Sequence, residues 1–362
     1  MLTLSRLNSE KSNTYINNVV QHIIRGKVAA GARSRAAPTA PAPVPAVHYV
    51  RIDEASQGQR LDNFLVKLLK GVPKSHVYRV IRSGEVRVNK GRAGADTKLN
   101  VGDEVRVPPV RLADRSDAAP APAREFPVVF EDEHLLAIDK PSGVAVHGGS
   151  GVSSGVIEQL RQARPEARFM ELVHRLDRET SGLLLIAKKR AALLALQDQL
   201  RHKPGGKSMH KTYAALVKGC WPAKLKVIDL ALHKYLTPEG ERRVRAVDAR
   251  HDEGKRAITL VQVARAFADF TLLDVTIKTG RTHQIRVHLS AQGHPIVGDD
   301  KYGDFELNKR LARAGGVVDL RFDRMFLHAR RLRLQHPASG EVIELQAPLP
   351  AECVLFIDAL KP

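Results

Sequence analysis

The chain has 362 residues, room for two domains and one sizeable core, with 43% apolar and 27% charged residues, as in soluble globular proteins. Its charge is less ordinary: 58 Lys and Arg against 39 Asp and Glu leave +19, the footprint of a protein that meets nucleic acid. Two distant cysteines, Cys220 and Cys353, exclude a disulfide framework and a cysteine-ligated zinc site, and no apolar run nears the roughly 18 residues of a membrane span.

Residues 1–50 hold six Lys or Arg and one acid. AAPTAPAPVPAV (36–47) is Ala/Pro low complexity and reads as an extended linker. TYINNVVQHII (14–24) permits a short helix, but an isolated one is marginal in water. The segment is expected to be a basic, disordered tail without a signal-peptide core, and the protein cytoplasmic.

Residues 51–115 form a compact basic module. Leu61, Phe64, Leu65, Leu68 and Leu69 recur at helical spacing and stop at Gly71. A second helix starts after Pro73, with Val77, Val80 and Ile81 inward and Gly84 as its stop. EVRVNKGRAGADTKLNVGDEVRV then alternates apolar and polar residues as two strands do. The module carries 14 Lys or Arg against 8 acids, and Lys74, Arg79, Arg82, Arg87, Lys90 and Arg92 cluster on the second helix and the turn after it. RLDNFL, SHVYRVIRSGEVRVNK and VGDEVRVP resemble the S-four-like RNA-binding module, first known from a small-subunit ribosomal protein. The resemblance implies that this cluster docks on structured RNA through phosphates, which fix position and not sequence choice.

A second Ala/Pro-rich linker ends at residue 127, and residues 128–362 form the large domain. VVFEDEHLLAIDKPSGVAVHGG reads as strand, acidic turn, strand and Pro/Gly loop. A helix near 152–163 follows, then the polar loop HRLDRETSG (174–182), a strand over Leu183–Lys188 and a helix in RAALLALQDQLR. KTYAALVKG, AITLVQVARAF and FTLLDVTIKTG are strand-like. RTHQIRVHLSAQG begins as a helix ended by Gly293, and FLHARRLRLQHP and EVIELQAPLP supply late strands. Runs of strands with a few helices and no regular βαβ alternation predict an α+β domain with a mixed, mostly antiparallel sheet and flanking helices.

The chain lacks GxxxxGK[ST], GxGxxG after a strand, HExxH and any His/Asp grouping at metal spacing, so no NTPase, dinucleotide or metal chemistry is expected. HGGSG (147–151) could suggest an oxyanion loop. No GxSxG elbow accompanies it, and Ser181 is a poor nucleophile candidate. What remains is Asp177, a carboxylate between Arg175 and Arg178. Loop aspartates often serve turns, but a second arginine-rich loop, KTGRTHQIR, follows the strand ending at Lys278. Pairing of Arg281 with Asp177 would keep the carboxylate ionised even when partly buried.

HRLDRETSGLLLIAKK, KTYAALVKG and TGRTHQIRVHL…GHPIVGDDKYG resemble the signature segments of the RluA-type pseudouridine synthases. The module in front, with LKGVPKSHVYRVIRSGEVRVNKGR, points to the RluC-like subgroup that acts on large-subunit ribosomal RNA. The resemblance covers residues 51–350. It implies a redox-neutral isomerisation without a cofactor, on ribosomal RNA or an assembling subunit, with no obligate protein partner. Asp177 matches the catalytic aspartate, a base or nucleophile at the sugar. Arg281 matches its partner, and Tyr213 the residue that stacks on the base and takes the C5 proton. Arg175 would fill the gap left by a flipped base. His174, Thr180 and Ser181 are expected to fix the loop, with His174 and Thr180 against the substrate. Ile285 and Leu289 read as helix core, Ile285 also as lining for the base.

Two rivals stay open. A non-catalytic RNA-binding assembly factor would be expected to lose Asp177, Tyr213 or Arg281, and all three are present. A glycosidase would want a second positioned carboxylate, for which Glu179 is the neighbour.

Overall fold

The computed structural model of this chain describes residues 47–69, 71–110, 121–148, 154–201, 208–313 and 320–361. The helix expected over 14–24, most of the tail and residues 149–151 of HGGSG lie outside these. Strand β1 (His48–Arg51) is followed by helices α1 (Leu61–Leu68) and α2 (Lys74–Arg82), then β2 (Arg87–Val88), β3 (Gly91–Arg92) and β4 (Glu104–Val107), in a four-stranded sheet ordered β1-β4-β2-β3. Leu61, Phe64 and Leu65 of α1 and Val77, Val80 and Ile81 of α2 close one core with Val105 and Val107. Full burial of each such side chain contributes about 1.5–3 kcal/mol, which is why helical spacing alone located both helices. Because β1 pairs with β4 along its whole length, ordered structure begins within the residues expected to be tail. Asn89 and Lys90 both have positive φ, 49° and 66°, the type I′ geometry that twists a two-residue hairpin correctly and presents Lys90 at its tip.

The large sheet is built from β5 (Val128–Glu131), β6 (Leu135–Lys140), β7 (Glu171–Leu172), β8 (Ser181–Ala187), β9 (His210–Lys218), β10 (Val227–Leu236), β11 (Arg242–Val247), β12 (Lys255–Ala266), β13 (Phe270–Ile277), β14 (Leu327–Gln335) and β15 (Val342–Gln346). Its order is β11-β10-β12-β13-β9-β14-β8-β6-β5, with β15 on β14 and β7 on β8. The β8–β14 pair is parallel and the other ladders antiparallel, the mixed sheet expected. Helices α3 (Val156–Ala163), α4 (Arg190–Gln199), α5 (Gln284–Ala291), α6 (Phe305–Leu311) and α7 (Ala351–Asp358) flank it.

All seven residues of β8 are buried, and Leu135–Ile138 of β6 are inaccessible beside them. Where β8 meets β14, Gly182 has φ +104° and a Cβ there would lie 2.4 Å from the Ala329 carbonyl oxygen. Only glycine fits that crossing. The interdomain stretch is not wholly a linker: Phe126 is buried in the large core, and the Pro127 carbonyl accepts from Asp139 N–H.

Candidate active site

The site lies where the loop before β8, the first half of β9, the end of β13 and the turn before α5 meet, with Leu327 of β14 beside them. A pocket of about 400 Å³ lies there, of the size that holds small ligands. The β7–β8 loop supplies His174, Arg175, Asp177 and Thr180, β9 supplies Lys211 and Tyr213, the turn before α5 supplies Arg281 and His283, and the first turn of α5 supplies Ile285 and Arg286.

Hydrogen bonds hold the loop carrying Asp177. Thr180 N–H donates to the Asp177 carbonyl at 3.2 Å. Ser142 Oγ donates to the Glu179 carbonyl at 2.7 Å. Lys140, fully buried, donates through Nζ to the carbonyls of Pro141, Val144 and Arg178 at 2.7, 2.8 and 3.0 Å. Burial pulls this amine down to about 7, while three carbonyls match the three N–H bonds of an ammonium. His174 Nε2 accepts from Leu185 N–H at 3.2 Å, so its proton belongs on Nδ1, and burial pulls the ring down to about 3. Ser181 is closed off: its Oγ bonds His328 Nδ1 at 2.9 Å and accepts from Arg324 at 2.6 Å, and both Ser181 and His328 are buried.

The cation at Asp177 is not the one expected. Arg286 Nη1 donates to Asp177 Oδ2 at 3.3 Å. Arg281 instead directs Nε toward the Arg256 carbonyl at 3.4 Å and lines the pocket mouth. Helix α5 starts at Gln284, so Arg286 lies in its first turn facing inward, while Arg281 precedes the helix and is exposed. Gln284 enforces the difference: its Oε1 accepts from Arg281 N–H and Thr279 Oγ1, and its Nε2 donates to the Ile258 carbonyl and Thr259 Oγ1.

Arg286 is itself clamped. Asp299 takes two bonds from it at 2.7 Å and Asp300 one at 3.1 Å. Burial opposes the charge on Arg286, but the Asp299 bonds hold its pKa above the ordinary arginine value. The Tyr302 ring lies under the guanidinium at 5.2 Å, and the Tyr302 hydroxyl accepts from Val244 N–H at 3.0 Å and bonds His283 Nδ1 at 2.8 Å. With its oxygen already an acceptor, the hydroxyl is best placed to donate to Nδ1, which leaves His283 Nε2–H turned toward Asp177 Oδ1, 4.0 Å away. Burial lowers the His283 pKa, against the pull of the Asp177 charge.

Tyr213 is buried between Val275 and Ala329 in the sheet. Burial, with the Asp177 charge added, pushes its hydroxyl well above the usual tyrosine range. A neutral phenol suits stacking better than it suits proton abstraction. Two residues before it on the same face, Lys211 is lowered to about 8 by burial. Arg175 is exposed and lines the pocket, Arg178 pairs with Glu179 at 2.6 Å rather than with Asp177, and Ile285 is both core and lining. Sequence reasoning passed over Arg286 and the Asp299–Tyr302 turn. Their signal was present in HQIR and GDDKY, each of which sets charged or hydrogen-bonding residues within an apolar frame.

Of the six cations assigned to RNA on the small module, Arg87 is half-buried and the other five are exposed. None pairs with a carboxylate among the described residues. Arg82 and Arg92 flank a shallow cleft with Tyr78, and Arg92 donates to the Ser83 carbonyl at 3.2 Å. Among the described residues no group of three or more His, Cys, Asp or Glu could hold a metal, and no helix is long and apolar enough to cross a membrane.

Residues 134–291 match the family model of RNA pseudouridylate synthases, and residues 59–105 match the S4 domain. Ribosomal large subunit pseudouridine synthase C of Escherichia coli (strain K12) is 50% identical over 311 residues, 84% of this chain and 94% of that protein. This chain belongs to the RNA pseudouridylate synthase family. The synthase C of Haemophilus influenzae is 47% identical over 321 residues, 87% of this chain and 95% of its own length. A solved structure of human RNA Pseudouridylate Synthase Domain Containing 4 superposes with a TM-score of 0.51 at 26% identity, over 65% of this chain and 94% of that one. The RluC-like resemblance and the α+β fold with a leading S4 domain therefore hold.

Proposed function

We propose that this pseudouridine synthase isomerises uridine to pseudouridine at chosen positions of large-subunit ribosomal RNA, free or in an assembling particle, in the cytoplasm. One observation supports the reading above others: the family's aspartate, Asp177, lies in a pocket of about 400 Å³ against an arginine fixed by two further carboxylates. The N1–C1′ bond breaks, the base turns, the C5–C1′ bond forms, and the proton lost from C5 is balanced by one gained at N1. Asp177 acts at the sugar as base or nucleophile, held by Arg286 in the role expected of Arg281. Tyr213 stacks on the base, Ile285 lines its pocket, and His174 and Thr180 keep the loop in place. Arg175, an exposed cation at the mouth, occupies the space the flipped base leaves, offsetting an extrusion cost of a few kcal/mol. The small module, through Lys74, Arg79, Arg82, Arg87, Lys90 and Arg92, anchors the RNA by its phosphates.

The test is carbodiimide mapping of large-subunit RNA from cells lacking the protein and from cells carrying Asp177→Asn. Pseudouridine adducts stop reverse transcriptase. Loss of the same few stops in both strains is expected; stops that persist in both remove this RNA as substrate.

A further inference from the structure

Beside the active pocket lies a second cleft of about 220 Å³, and Arg281 and Thr282 line both. Leu232 and Val244 form its apolar floor. Register explains the cations around it: Leu232 pairs with Lys255 across β10–β12, and Lys234 pairs with Val244 across β10–β11. Paired residues share a face, and Lys234 lies two residues beyond Leu232, so both lysines stand on the same side as the floor. Val287 of α5 packs on that same floor, which brings Arg281 over it from the turn before the helix.

Three cations close by are neutralised. Arg256 pairs with Asp229, and Arg243 and Lys301 pair with Glu241. Lys234, Lys255 and Arg281 have no carboxylate partner among the described residues. The one acid at the cleft, Glu253, is exposed and lies 3.4 Å from His233. Three cations without a carboxylate partner thus border a hollow that shares Arg281 and Thr282 with the site of chemistry.

We propose that this side cleft binds the backbone phosphodiester next to the flipped uridine, with Arg281 bridging the two cavities and Lys234 and Lys255 closing on the phosphate oxygens. The inference rests on the proposed RNA substrate. Extruding a nucleotide swings it about its own backbone, so the flanking phosphates must lie at the pocket mouth. An arginine fork suits two phosphate oxygens, and ammonium groups suit a point of charge. This gives Arg281 a task that pairing with Asp177 would have denied it.

The test uses the full-length protein and a synthetic RNA stem–loop around a mapped uridine, with each linkage near that uridine replaced in turn by an uncharged methylphosphonate. For wild type, one linkage should cost about tenfold in affinity, the size of a charge-assisted contact. Lys234→Gln/Lys255→Gln should bind unmodified RNA more weakly, lower the salt slope by about 1 per lysine, and be indifferent to that methylphosphonate. Equal losses in wild type and variant at every linkage would overturn the proposal, as would unchanged affinity in the variant. Affinity is read apart from turnover: intact coupling with no pseudouridine formed would remove the reaction and keep the cleft.

Discussion

Two arginines five positions apart in one motif, Arg281 and Arg286, have opposite fates, and helix phase decides between them. Sequence reasoning gave Asp177 to Arg281 and passed over Arg286 in the same motif. The start of α5 at Gln284 turned one inward and left the other on the surface. A helix start is hard to read here because His283, in left-handed conformation at φ 52°, precedes it without any capping side chain. The two residues should therefore separate in stability measurements. Arg286→Gln leaves Asp299, 1% exposed, without its cation and should cost about 3–5 kcal/mol in urea unfolding. Arg281→Gln should stay within about 0.5 kcal/mol. Equal costs would mean that Arg281 carries fold energy that its contacts do not explain.

Among elements, long apolar strands such as β8 and β6 were legible, as were α1 and α2, because burial imposes their periodicity. The β10–β11 ribbon was not, since its strands alternate charge with scattered apolar residues and are only partly buried. Helices α6 and α7 were missed as well: α6 has only seven residues, and α7 starts abruptly at a proline. Nor could the sequence disclose that the loop after β6 and the loop before β8 are joined through Lys140. Lys140→Met would strip three backbone carbonyls of a donor, each worth about 1–3 kcal/mol if left buried and unpaired. Faster hydrogen exchange at the amides of Arg178–Thr180, with β12 unchanged and turnover down at least about tenfold, is the expected result. Uniform acceleration across the sheet would make Lys140 a global stabiliser instead of a positioning residue for Asp177.

At the scale of the whole molecule, the basic excess that first suggested nucleic acid coexists with histidines buried neutral. Burial lowers His174 to about 3 and both His288 and His328 to about 4. An unfolded chain restores each to about 6.5. Between that value and the folded one the unfolded state binds more protons, so stability rises with pH across the window and is lost as pH falls through it. Each histidine adds up to about 1.4 kcal/mol per pH unit. Carboxylates held low by partners, such as Asp299 and Glu131, add their own loss only below about 4.5. Unfolding free energy should thus fall steeply from pH 6.5 toward 4.5, before the acids contribute, whereas above pH 7 the buried amines of Lys140 and Lys211, lowered to about 7 and about 8, keep it rising with pH toward the unfolded lysine value. His288→Leu removes one titrating group from this set. Urea titrations at half-unit pH steps should show its slope in that window reduced by up to about 1.4 kcal/mol per unit. An unchanged slope would place the acid sensitivity elsewhere, with the histidines protonating freely in the folded state.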